Sequence, residues 1–151
     1  MKLAAKRNFE VTYYEKDEHT WLVESHLNDS PHDITLDVEI DMQNFTITNA
    51  QFKFNRFPIK DCTAMEEKAK YLIGLKVDNS LMQKAMKNLM ESEGCPNIIQ
   101  LLMISVPGII YYYYPYKIRN GKMKEEAFEN MIKTDLKDAC LGHTLLNIPS
   151  K

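Results

Sequence analysis

Ile34-Thr-Leu-Asp-Val-Glu-Ile-Asp41 alternates apolar with polar or charged residues at every step. Successive side chains of a β-strand leave opposite sides of the pleat, so this pattern describes a strand with one buried and one wet face. Wound as a helix, the same residues would scatter their apolar positions around the axis. Asp41-Met-Gln-Asn44 supplies turn residues, and Phe45 to Phe54 reads as the returning strand of a hairpin. Its apolar positions are Phe45 and Ile47, then Ala50, Phe52 and Phe54. The parity changes between Ile47 and Ala50, which predicts a β-bulge near Thr48-Asn49.

Upstream, Phe9, Val11 and Tyr13 alternate with polar residues, and Thr20 to Leu27 is a further strand centred on Trp21 and Val23. Asp17-Glu-His19 is the expected turn between them. Four strands joined by short connections predict an antiparallel sheet whose apolar face needs a cover. The second half provides candidates. Thr63-Ala-Met-Glu66 fits a capping box, followed by Met65, Ala69, Leu72 and Ile73 at helical spacing and by Gly74 as a stop. Leu81, Met82, Ala85, Met86, Leu89 and Met90 form an apolar stripe between Asn79 and Gly94. Pro96 suits the first position of another helix, apolar from Ile98 to Val106, which Pro107-Gly108 should kink or end. Ile109 to Tyr116 reads equally as helix or extended chain, and a last helix is expected from about Met123 to Cys140. The expected architecture is α+β: an N-terminal antiparallel sheet of about four strands, covered on one face by C-terminal helices, in a single domain over residues 1–151.

Composition removes several function classes. The chain has 151 residues, 44% hydrophobic and 26% charged, ordinary values for a folded domain. Nineteen Lys and Arg against twenty-one Asp and Glu give a net charge of -2, and no dense basic block exists, so a nucleic-acid partner is not expected. Met1 to Asn8 lacks an apolar run, and a secretory signal is not expected. The apolar stretch Ile98–Tyr114 falls short of the roughly 20 residues of a membrane helix, so a core helix is expected and no membrane. Three cysteines without an export signal predict reduced thiols and a cytoplasmic protein. Phosphate loops, GxSxG elbows and HExxH motifs are absent, so no signature motif decides whether the chain is an enzyme.

The residues with chemistry to offer are few. Cys62 precedes the expected cap Thr63, and Cys95 occupies the N-cap position before Pro96. Helix amino ends favour negative charge, which lowers thiol pKa values and improves thiolates as nucleophiles or metal ligands. His32 has the parity of Ile34 and should face the covered side, with Asp33 beside it at the sheet rim. His32, Asp33, Cys62 and Cys95 are therefore the candidate metal ligands, with zinc or iron the ions that suit thiolate and imidazole. Set against this, cysteine is commonly a small core residue, none of the three forms a CxxC, and Cys140 reads as core. His143 follows Cys140 by three residues. His19 and His26 read as structural. Tyr111-Tyr-Tyr-Tyr114 and Tyr116 read as a packing stripe, with a homodimer contact as the next reading.

Trp21-Leu-Val-Glu-Ser-His-Leu-Asn-Asp29, then His32-Asp-Ile-Thr-Leu, Ile73-Gly-Leu75 and Gly94-Cys95 resemble the bacterial family called domain of unknown function 2889 (DUF2889). That family places a histidine two residues after the Gly-Cys cysteine; here Asn97 stands there. Its late Cys-His pair is similar to Cys140-Leu-Gly-His143. A more distant likeness is to iron–sulfur cluster scaffold and zinc-dependent sulfur-transfer proteins, carried by His32-Asp33, Ala50-Gln-Phe52, Cys62 and Cys95. In it the first ligating cysteine would fall at Pro31. This likeness implies a sheet packed on helices with a rim site. Three functions follow as expectations: a metal or thiol site at the rim, a non-catalytic interaction or dimerisation module, and an enzyme acting on an acyl or thiol-linked small molecule.

Overall fold

A computed structural model describes residues 1–134, Leu136 and Thr144. Its backbone divides into two compact units, residues 1–109 and 110–151, where the sequence reads as one domain. The first unit begins with four strands: β1 (Arg7–Glu15), β2 (Thr20–Asp29), β3 (Asp33–Asp41) and β4 (Thr46–Arg56). They pair antiparallel in the order β1-β2-β3-β4. The fold is α+β, with the sheet first and helices second.

The alternation read in β3 is kept throughout. Ile34, Leu36, Val38 and Ile40 are fully buried on one face, joined by Trp21, Val23, Ser25 and Leu27 of β2. Burying each large apolar side chain contributes roughly 1.5–3 kcal/mol, so this face is the main source of stability. In β4 the ladder shifts between Glu39/Asn49 and Ile40/Ile47, leaving Thr48 as the extra residue of the bulge. A second shift, between Asp33/Arg56 and Ile34/Phe54, leaves Asn55 extra. The first irregularity lets Ile47 face inward together with Phe52 and Phe54 on one strand.

The cover consists of a 3-10 helix (Lys60–Leu72), α1 (Leu81–Leu89) and α2 (Pro96–Ser105). α2 crosses β1, β2 and β3, the 3-10 helix runs beside β4, and α1 packs against both. The edge of β4 is protected near both of its ends. Gly74–Val77 returns along Phe45–Ile47 with bonds such as Gly74 N–H to the Ile47 carbonyl at 2.8 Å. Further up, the Glu66 carboxylate accepts the Phe54 amide at 2.9 Å.

That last contact corrects the capping-box expectation. The helix starts at Lys60 after Ile59, so Thr63 lies inside it and its hydroxyl donates to the Lys60 carbonyl at 3.1 Å. Glu66 serves an edge strand because that amide had no other covered partner. Met65, Ala69 and Leu72 are buried as expected, whereas Ile73 and Met86 are exposed. Gly74 takes φ +85°, a left-handed geometry suited to glycine, and ends the helix.

α2 ends at Ser105, and a 3-10 turn, Val106–Ile109, accommodates Pro107. The Ser105 carbonyl, released where α-helical bonding stops, accepts the Tyr13 hydroxyl at 2.7 Å and ties α2 to β1. Because the proline is absorbed by a turn and does not break the chain direction into strand, helical structure runs on. The stretch Pro96–Arg119 is 24 residues, long and apolar enough to cross a bilayer by length and composition, and half of its most apolar window is buried inside the protein.

In the second unit, α3 (Ile110–Arg119) and α4 (Glu125–Lys133) are the described elements. Tyr114 is 7% exposed and its ring lies 5.8 Å from that of Phe128. Tyr111 and Tyr112 are exposed. The tyrosine run is thus split between packing and surface, as a helix with 3.6 residues per turn requires. Cys140, His143 and the far end of the last expected helix lie outside the described residues.

The bulge sets a direct test. Deleting Thr48 leaves Asn49 opposite Glu39 and Ile47 opposite Ile40, so the variant should fold with stability changed by no more than about 1 kcal/mol. Deleting Gln51 instead drives Asn49 onto the covered face in place of Ala50, at a cost of about 1–3 kcal/mol. Urea unfolding of the two deletions measures the difference; equal losses would reject the assigned bulge.

Candidate functional site

The β2–β3 turn is built by one carboxylate. Asp29 Oδ1 accepts the His32 backbone amide at 2.8 Å, and the Asp29 amide donates to the His32 carbonyl at 2.9 Å. The same oxygen lies 2.9 Å from His32 Nδ1. On the other oxygen, Arg7 Nε donates at 2.7 Å. Burial pushes the Asp29 carboxyl up, but hydrogen bonds from the His32 ring and amide and from Arg7 outweigh it, and the net shift is downward. An ionised carboxylate only accepts, so His32 donates through Nδ1–H.

Two arginines hold this turn. Arg56 Nη2 donates to the Asn28 side chain at 2.7 Å and to the carbonyls of Asp29 and His32 at 2.7 and 3.1 Å. Arg7 reaches from β1 to α2, donating to Asn97 Oδ1 at 2.6 Å and Gln100 Oε1 at 3.2 Å. One guanidinium therefore joins the turn that carries His32 to the helix whose start carries Cys95.

Cys95 is the N-cap of α2, followed by Pro96 at the first helical position. Its approach is fixed by Gly94: a Cβ there would overlap the Leu89 carbonyl and the Met90 amide. Cys95 N–H donates back to the Leu89 carbonyl at 3.1 Å. Cys62 sits in the first turn of the 3-10 helix, its amide bonded to the Ile59 carbonyl at 3.0 Å. Both thiols are free and partly exposed.

His32, Cys62 and Cys95 line one cavity of about 610 Å³, whose walls include Ile59, Met65 and Pro96. Three of the four residues singled out in the sequence are thus brought together from a turn and two helix starts. Asp33 is not among them. It has opposite parity to Ile34 and points to the open face, where Oδ1 meets His26 Nε2 at 3.0 Å and Asn55 Nδ2 at 3.1 Å. The bond from Asn55, against some burial, and those involving His26 lower its pKa. The strand's own alternation thus sets it apart from the other three. Among the described residues, no three of His, Cys, Asp and Glu approach closely enough to hold a metal ion.

On the open face, a smaller hollow of about 400 Å³ is lined by Glu10, Glu24, His26, Asp37 and Lys53 among others. Glu24 and Asp37 are direct cross-strand partners. Burial, then the Glu24 charge, pushes the Asp37 carboxyl up.

The profile of a family described as "Protein of unknown function (DUF2889)" matches residues 5–110. The chain belongs to this family. The DUF2889 match ends beside the boundary of the first compact unit and contains the sheet, its cover and the cavity, but neither Cys140 nor His143. It is thus narrower than the resemblance drawn from the motifs. No curated protein and no solved structure matches the chain.

Asp29 and Arg7 are the residues that sequence reasoning missed. Asp29 had a local signal, since Asp-Ser-Pro-His spaces an Asx turn over three residues. Arg7 had none: its partners lie 22 and 90 residues away.

Gly94→Ala forces backbone, and not a flexible side chain, to move. It should destabilise the protein by about 1–3 kcal/mol, read as a lower thermal midpoint. Gly74→Ala, with open space around it, should cost only about 1–2 kcal/mol of left-handed strain. Asp29, with its folded pKa below 3.8, stabilises the fold fully above that value. This contribution should vanish as pH falls through the depressed value, and Asp29→Asn should flatten that part of the stability–pH curve. An unchanged acid limb in Asp29→Asn would contradict the assigned carboxylate.

Proposed function

We propose that the rim cavity binds a small, largely apolar molecule and engages it through the thiols of Cys62 and Cys95. The observation that carries this reading is the lining of a single cavity by two free thiols and an imidazole from three separate elements. Its volume of about 610 Å³ lies in the range of small-molecule sites, and its mixture of apolar wall with few polar groups is typical of them. The two thiols are the strongest nucleophiles among lining residues that also include Lys68, so the chemistry suited to the cavity is attack of sulfur on an electrophilic or thiol-linked group. In the reducing cytoplasm expected for this chain, both thiols stay available.

Zinc or iron would use the same donors, Cys62, Cys95 and His32, without Asp33. The open cavity favours a molecule, because an ion would require the three groups to close upon it.

The test uses a Cys140→Ser background and intact-mass kinetics. A bulky maleimide on Cys95 should slow modification of Cys62 at least fivefold or so, because the two share one space. Small apolar electrophiles should raise the thermal midpoint, and Cys62→Ser or Cys95→Ser should abolish the rise. Independent reaction of the two thiols, at rates like those of the unfolded chain, rejects the proposal. So does one equivalent of zinc or iron in protein purified without added metal, if either substitution removes it; the ion then replaces the molecule.

A further inference from the structure

We propose that His32 presents Nε2 to the rim cavity as a hydrogen-bond acceptor, with Asp29 as its positioning residue, so that the cavity selects ligands bearing an N–H or O–H donor. The inference deepens the small-molecule reading and rests on it. Three observations lead to it. The Nδ1 edge of the ring is occupied by Asp29, 2.9 Å away. Asp29 does not line the cavity, whereas His32 does, and the ring edge that Asp29 leaves free carries Nε2. Among the described residues, no hydrogen bond reaches that nitrogen.

The tautomer follows from the partner. The Asp29 carboxylate already accepts from the His32 amide and from Arg7, and it has no proton to give. A neutral ring beside it therefore carries its proton on Nδ1 and its lone pair on Nε2, the arrangement in which a carboxylate orients an imidazole toward a ligand. Around it, the cavity offers the thiols of Cys62 and Cys95, an apolar wall, the side chains of Asp61, Lys68 and Ser92, and Asn97, itself held by Arg7. A lone pair in such a setting discriminates: a ligand that donates to it gains, and one that cannot leaves Nε2 desolvated. The selected class is a small amide or alcohol with an apolar body and a group that reacts with sulfur.

The experiment has two parts on the full chain in the Cys140→Ser background, at pH of about 8.5, where imidazoles are ordinarily neutral. Long-range proton–nitrogen correlation spectra read the His32 tautomer directly, and Nδ1–H is expected. Alkylation of Cys62 and Cys95 is then compared for iodoacetamide, whose amide donates, and methyl iodoacetate, which has no donor. In each reaction sulfur forms a bond to the methylene carbon, iodide leaves with the bonding electrons, and the thiol proton passes to buffer. After normalisation to free glutathione, iodoacetamide should be favoured roughly three- to tenfold in at least one thiol, the worth of one net hydrogen bond. His32→Phe keeps a ring of similar shape and should bring the ratio to about one. Asp29→Asn should give a mixed tautomer and an intermediate ratio.

A loosened cavity would change both reagents alike and leave the ratio alone, so the ratio separates positioning from mere support. His32 carrying its proton on Nε2, or a ratio untouched by His32→Phe, overturns the inference. If neither thiol reacts at all, the thiol reading of the cavity fails instead, and the tautomer alone decides the role of Asp29. Should Asp29→Asn not fold, His32→Phe and the wild-type spectrum carry the test.

Discussion

A hydrogen-bonded ladder forces neighbouring side chains to opposite faces, and in β3 that constraint reaches from the core to the candidate site. Ile34, Leu36, Val38 and Ile40 lie beneath the helices because they share one parity. His32, one step before the strand, continues that parity into the cavity, while Asp33 is turned to the opposite face. A one-residue offset thus separates two adjacent polar residues into different surroundings. The cover of the sheet and the composition of the rim follow from the same geometry.

The rim itself is held by charge. Asp29 closes the turn through the His32 amide, orients the His32 ring and receives Arg7, while Arg56 gathers the carbonyls on the other side. Side-chain ion pairs at a surface contribute little to stability alone. Here their importance is geometric, since Arg7 links a β-turn to the start of α2 through Asn97. Gly94 completes the arrangement by allowing the chain before Cys95 to lie directly on Leu89 and Met90. Proximity of backbone to backbone, and not left-handed geometry, is what requires glycine there.

Where local pattern and long-range partnership compete, the partnership prevails. Thr63-Ala-Met-Glu66 has the residues of a capping box, yet Glu66 is drawn to the Phe54 amide on an edge strand. Met86 falls on the spacing of the α1 stripe and is exposed, because the apolar stripe was wider than the surface available to it. The tyrosine run divides likewise, with Tyr114 against Phe128 and Tyr111 at the surface. By contrast, the bulge at Thr48 was legible, since a change of parity along one strand has no other economical explanation.

By itself the sequence determined the four-stranded antiparallel sheet, the bulge in its last strand, the N-cap position of Cys95 and the side on which His32 lies. These depend on side-chain period and on residues close together in the chain. Tertiary structure alone decided that Cys62 and Cys95 open onto the same cavity, that Asp33 faces away from it, and that Arg7 ties the site together. The physical reason is reach: periodicity orients a side chain on its own element, but meeting another element depends on packing between segments tens of residues apart, which no local spacing encodes.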